Sequence, residues 1–96
     1  MDQEIAVKRM AELGHNTRMS IFRLLVKVGK GGLPVGDIQK HLDITAPTLS
    51  HHLHRLIAVG LVKQHREGRI LFCVAQLGSL REILNFLDDE CCTLQL

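Results

Sequence analysis

Between Pro34 and Ala75 the chain spells two short amphipathic helices three residues apart, then two β-rich segments about a glycine, and few folds accommodate that succession. Pro34 presets the first turn of the earlier helix, with Val35, Ile38 and Leu42 at i, i+3 and i+7. Asp43 to Thr45 forms the link. Thr45 is the expected N-cap of the later helix; Pro47 has no N–H to offer, so the cap should bond to Thr48. Leu49, Leu53, Leu56 and Ile57 then share one face at i, i+4, i+7 and i+8, and Gly60 ends the helix. Leu61 to Arg66 and Arg69 to Ala75 read as strands around a Glu67-Gly68 turn. Helix, turn, helix and hairpin specify a winged helix-turn-helix, mainly α with a β-hairpin wing, in the order α-α-α-α-β-β-α.

The flanking segments fit that frame. Ala6, Met10 and Leu13 line one helical stripe, and Gly14 is expected to close it in the left-handed region. Asn16 is the expected cap of a second helix whose Ile21, Phe22, Leu24, Leu25 and Val28 fill more than one stripe, the mark of a central, buried element. Gly29, Gly31 and Gly32 break it. A last helix is expected from about Gly78 to the end, with Leu77, Leu80, Leu84, Leu87 and Cys91 alternating three and four apart and Ile83 and Phe86 widening the seam. The 96 residues contain no repeat, low-complexity tract or linker and read as a single domain, 1–96.

Composition narrows the function. The longest apolar run, Ile70 to Ala75, is far too short for a membrane span, and the acidic Met-Asp-Gln-Glu start has no basic region leading into an apolar one. A cytoplasmic protein without a membrane partner is expected. Three cysteines, two of them adjacent, make no disulfide framework. The net charge of +2 is uneven: residues 45–69 hold four Lys/Arg against one Glu and four of the six histidines, whereas residues 70–96 hold one Arg against four acids. A basic centre implies an anionic partner at one face. With three Phe and no Trp or Tyr, there is no stacking platform for unpaired bases, so a duplex fits better than a single strand.

On the later helix of the pair, Leu49, Leu53 and Leu56 face inward, leaving Pro47, Thr48, Ser50, His51, His54 and Arg55 outward. Short hydroxyls and imidazoles suit base edges and phosphate oxygens in a major groove. Arg66 and Arg69 flank the hairpin tip, where a wing meets phosphates or the minor groove. Each of these residues alone is an ordinary solvated polar group; it is their succession that points to DNA. Cys and His are present, but no Cys–His–acid set sits on a Gly-rich turn or cleft-forming loop, so no enzyme and no organic cofactor are expected.

The stretch Thr45-Ala46-Pro47-Thr48-Leu49-Ser50-His51-His52-Leu53-His54-Arg55-Leu56, with Gly60-Leu61-Val62 and Arg66-Glu67-Gly68-Arg69, resembles the ArsR/SmtB family of winged-helix repressors. Ala11 to Arg18 resembles the start of that family's second helix, and Ile38 to Leu42 its third, so the likeness spans nearly the whole chain. One departure is Asp43, where the turn usually has Gly; Asp tolerates the left-handed region. The resemblance implies a homodimer through the first and last helices, with recognition helices in successive major grooves of a palindromic double-stranded operator. It leaves the inducer open. The Cys-x-Cys pair that some members carry at the start of the third helix is missing from Leu33-Pro34-Val35-Gly36-Asp37, and the last helix has no His for a zinc-type site. Cys91-Cys92 remains, and it resembles members that sense trivalent arsenic through adjacent C-terminal cysteines.

The chemistry of that pair agrees. Trivalent arsenic or antimony seeks two or three thiolates, and adjacent cysteines supply two with little chain entropy to lose. Neighbouring side chains on a regular helix point about 100° apart, so joint chelation needs the helix end to unwind. Asp88, Asp89 and Glu90 favour this by opposing the helix dipole, and they disfavour a reactive thiolate. Packing alone would account for Cys91 as part of the leucine seam but not for Cys92. Cys73 lies in an apolar strand and reads as core. Two rivals stand beside arsenic sensing: a regulator of the same fold that responds to oxidants or reactive sulfur through its cysteines, and a winged-helix protein-interaction module without a DNA role.

Overall fold

The computed structural model describes residues 1–96. Five helices and three strands follow one another as α1 (Gln3–Leu13), α2 (Asn16–Val28), β1 (Leu33–Pro34), α3 (Val35–Leu42), α4 (Ala46–Ala58), β2 (Val62–Glu67), β3 (Ile70–Ala75) and α5 (Leu77–Asp88). This is the expected winged helix with one addition. Leu33 and Pro34 pair antiparallel with Cys73 and Phe72, giving a sheet in the order β1-β3-β2. A proline lacks the N–H of a ladder and is tolerated here because β1 is an edge strand.

Several ends differ from expectation. Gly14 closes α1 with a φ of −73°, outside the left-handed region; its N–H reaches the carbonyls of Met10 and Ala11. His15, not Asn16, caps α2, its Nδ1 accepting from the Thr17 N–H at 3.1 Å. Thr45 stands at the N-cap of α4 but does not bond the Thr48 N–H; its hydroxyl donates to the Thr48 hydroxyl at 3.0 Å, so no side chain caps a backbone N–H of α4. The hairpin turn is Gly68-Arg69, one residue later than read, because Glu67 pairs with Ile70. Asp43 does hold the left-handed conformation that the α3–α4 turn requires, at φ 52°.

The core lies where α2 meets the inner faces of α3, α4 and the sheet. Ile21, Phe22 and Leu25 of α2 pack with Ile38, Leu49, Leu53, Leu56, Leu61, Val62, Cys73 and Ala75, and Ile83 closes one end. Val28, read as part of that face, is exposed. Gly32 enters β1 at φ +73°, and a Cβ there would sit 2.7 Å from Val74 Cγ2 and 2.8 Å from the Cys73 carbonyl oxygen. Gly32→Ala is therefore expected to destabilise the fold by about 1–3 kcal/mol in urea unfolding. Gly31→Ala, with open space around it, should stay within about 0.5 kcal/mol of the parent. Equal midpoints for the two variants would contradict this account of the β1 junction.

The chain is long for its mass. Its radius of gyration is 15.0 Å and its extents are 55 × 23 × 20 Å, whereas a compact chain of this length has a radius near 12.5 Å. α1 and α5 lie together at one side, tied by Arg9, which donates to the Val59 carbonyl at 3.0 Å and to Glu82 Oε1 at 3.3 Å. No helix is long and apolar enough to cross a membrane.

Candidate nucleic-acid interface

α4 buries Leu49, Leu53 and Leu56 and turns Pro47, Thr48, Ser50, His51 and His54 to solvent, so these five stand together on one exposed face. The first turns of α4 offer hydroxyls and imidazoles beside the positive end of the helix dipole, a combination suited to anionic or acceptor-rich partners. At the hairpin tip Arg66 and Arg69 are both exposed, and Arg69 occupies the turn itself. Behind the tip the wing is braced. His65 stacks on Phe72 with ring centroids 5.3 Å apart and planes within 4°, and its Nε2 lies 3.4 Å from Glu67 Oε1.

Arg55 is the departure. It is exposed, as its place on the outward face predicts, but its guanidinium turns back onto α1. Nε donates to Glu12 Oε2 at 2.8 Å and Nη2 to Glu12 Oε1 at 2.8 Å, a two-pronged clasp of one carboxylate. Glu12 is itself buried, a cost that two facing guanidiniums offset. The second is Arg18 of α2, whose Nε donates to the Glu12 carbonyl oxygen at 2.7 Å and lies 3.6 Å from Oε2. The Arg55 clasp, helped by the charge of Arg18, holds the Glu12 carboxyl below its ordinary range.

Arg18 also reaches α4 directly. Its Nη1 sits 3.1 Å from Nδ1 of buried His52. Arginine can only donate, so His52 Nδ1 accepts and the ring proton resides on Nε2. Burial pushes the His52 pKa down, and the charges of His15, Arg18, His51 and Arg55 push the same way. The His15 and His52 rings lie 4.7 Å apart, completing a cluster that joins α1, α2 and α4. No buried side-chain nitrogen or oxygen in the chain lacks a partner.

A pH dependence follows with a definite sign. Folded His52 resists a proton that the unfolded chain accepts below about 6.5, so stability from this site is complete above that pH and is lost as pH falls toward the depressed folded value. Glu12 adds loss in the same direction, beginning below about 4.5. The Tm should fall between pH 7.5 and 5.5, and His52→Gln, which can still accept from Arg18, should flatten that slope. An equal slope in the variant would reassign the effect.

α5 ends at Asp88, not at the chain end, so Cys91 and Cys92 lie beyond the helix and Cys91 does not continue the leucine seam. Asp89 is extended, while Glu90 and Cys92 take φ values of 60° and 65°. Both cysteines are exposed, with their sulfurs 2.6 Å apart. The thiol–thiol hydrogen bond holds the Cys91 pKa above its ordinary value. Cys73 is fully buried, and its sulfur accepts from Gln64 Nε2 at 3.4 Å. Burial raises its pKa and identifies it as packing. No group of three or more His, Cys, Asp or Glu side chains is arranged to hold a metal ion.

Sequence reasoning did not single out Glu12, Arg18 or His52. The available signals were an arginine three residues before the apolar run of α2 and a histidine between the inward Leu49 and Leu53.

Comparison with known proteins agrees with this geometry. Residues 13–65 match the helix-turn-helix domain family. The chain is 33% identical over 72 residues to the transcriptional repressor SdpR of Bacillus subtilis, covering 74% of this chain and 76% of that one. It is 33% identical over 86 residues to an uncharacterised HTH-type transcriptional regulator of Methanocaldococcus jannaschii, covering 90% and 94% of the two chains. In fold it superposes on the ArsR-like transcriptional regulator of Rhodococcus sp. RHA1 with a TM-score of 0.79, at 23% identity and 90% and 78% coverage. The match over residues 13–65 and the relatives at 33% identity establish that the chain belongs to the helix-turn-helix domain family of transcriptional regulators, with a winged-helix fold similar to that of ArsR-like regulators.

Proposed function

We propose that this repressor acts as a homodimer through α1 and α5, binds a pseudo-palindromic duplex, and leaves it when trivalent arsenic or antimony engages Cys91 and Cys92. The observation that carries the inducer assignment is the 2.6 Å separation of two exposed sulfurs on an already unwound segment. The chelating conformation requires no melting of α5. Arsenous acid would exchange two of its hydroxyls for two thiols: each As–O bond is replaced by As–S, and each thiol proton leaves with the departing hydroxyl as water. A third sulfur or oxygen comes from the partner subunit, a small thiol or water.

On DNA, Pro47, Thr48, Ser50, His51 and His54 of each subunit face the major groove, with the two α4 helices about 34–36 Å apart. Arg66 and Arg69 meet the flanking backbone. The dimer is supported by surface arithmetic. The chain exposes 6627 Å², whereas a compact chain of 10.8 kDa exposes about 5,500 Å². The excess exceeds the roughly 800 Å² that each partner contributes to a standard interface. Metalloid binding just beyond α5 then acts on the dimer seam and alters the spacing of the recognition helices.

The test is an arsenite titration of the reduced protein on a duplex chosen by in vitro selection, followed by fluorescence anisotropy. Release near one arsenite per subunit is expected. Binding that ignores arsenite would remove the metalloid signal and keep the repressor. A second reading draws on the same sulfur distance. A peroxide could take two electrons and two protons from the pair to close a disulfide, and counting thiols after mild peroxide separates the two signals. The raised pKa of Cys91 favours the metalloid.

A further inference from the structure

We propose that Arg55, clasped by Glu12, and His52, held by Arg18, are positioning residues that fix the rotation of α4 about its own axis for DNA binding, and that Arg55 is not a phosphate contact. The proposal rests on α4 being the recognition helix.

Apolar packing alone leaves that rotation loosely set. Leu49, Leu53 and Leu56 are buried and hold α4 to the domain, but hydrophobic attraction is non-directional and sets the roll of the helix less sharply than charged hydrogen bonds do. Ser50, His51 and His54 need angular accuracy to meet base edges. Charged hydrogen bonds supply direction. His52 and Arg55 lie three residues apart on α4 and are gripped from outside it by Arg18 and Glu12 respectively. Glu12 and Arg18 are themselves locked together by the 2.7 Å bond from Arg18 Nε to the Glu12 carbonyl. Two attachment points, each tied to the α1–α2 corner, suppress roll. Because Glu12 lies on α1, the clasp couples α1 directly to α4.

The guanidinium of Arg55 is about half exposed, which leaves it near enough to DNA to make the phosphate reading a real competitor. Lysine separates the two roles. It keeps the charge a phosphate needs but loses the fork that fits a carboxylate at two points. The experiment compares wild type, Arg55→Lys, Arg55→Gln, Glu12→Gln and the double Glu12→Gln/Arg55→Gln, each on a selected duplex and on a scrambled duplex of the same length. Anisotropy is read across a salt series, below each variant's Tm. A positioning role predicts that Arg55→Lys and Arg55→Gln both lose about tenfold in the ratio of selected to scrambled affinity. The salt slope stays at the wild-type value, and the double variant is no worse than the worse single.

A phosphate contact gives the opposite pattern. Arg55→Lys would match wild type, and Arg55→Gln would lose about 0.9 in salt slope per subunit with the ratio preserved. That result overturns the proposal, as do additive losses in the double variant. Should Glu12→Gln fail to fold, the exposed Arg55→Lys substitution decides the matter by itself. Wild-type protein that selects no duplex would instead remove the DNA-binding reading beneath it.

Discussion

Leu84→Glu with Leu87→Glu is expected to separate the proposed homodimer and lower operator affinity by about 10²–10⁴-fold. The two side chains project from α5 at 55% and 60% exposure, and Ile5 and Val7 of α1, which packs against α5, are also exposed. Ile83, about 100° round the helix from Leu84, is buried in the core. α5 thus holds to its own domain through Ile83 while Leu84 and Leu87 stay more than half exposed. Each buried leucine stabilises association by about 1.5–3 kcal/mol, and two like charges at their positions reverse the sign of that contribution. A single winged helix reads only half of a palindrome, so losing the partner loses the effective concentration that links the two half-sites. The monomer should remain folded, because neither residue is packed in its core. Sedimentation equilibrium and circular dichroism check the two halves of this claim. A double variant that stays dimeric would place the interface elsewhere.

Elements with several turns of consistent periodicity were legible in the sequence. The Leu49, Leu53, Leu56 stripe and the left-handed Asp43 stand where spacing and turn chemistry place them, while Pro34 sits one residue before α3, at its N-cap. β1 was not legible, because two residues have no period and their pairing is decided by β3, forty residues later. The end of α5 was misplaced because the leucine spacing continues through Cys91 while three successive acids oppose the dipole. Two signals conflicted there, and the electrostatic one prevailed. The outward polar residues of α4 followed from knowing its inward face. Which of them is free did not follow: the Arg55–Glu12 clasp joins positions 43 apart, and the Arg18–His52 bond joins positions 34 apart. Pairings at that separation leave no local pattern. They are set by how α1, α2 and α4 converge.

Cys91→Ser and Cys92→Ser should each abolish arsenite-induced release while leaving operator affinity without arsenite unchanged within about twofold. In the wild type, metalloid binding is expected to raise the operator Kd by about 5- to 150-fold. The serine hydroxyl is nearly the size of the thiol but is a hard, weakly acidic ligand that cannot replace sulfur on a soft centre. Both cysteines are exposed and beyond the last helix, so neither substitution touches the core. Continued release of the double variant by arsenite would move the sensor elsewhere. Dependence on pH distinguishes the metalloid from an oxidant. Exchange of arsenous hydroxyl for thiol releases water and no net proton, so the response at saturation should be level between pH 6 and 8. Oxidation requires the thiolate, and the thiol–thiol hydrogen bond holds Cys91 in its protonated form. Peroxide inactivation should therefore accelerate about tenfold per pH unit across the same range. A level arsenite response beside a steep peroxide response is the pattern that assigns Cys91 and Cys92 to metalloid sensing.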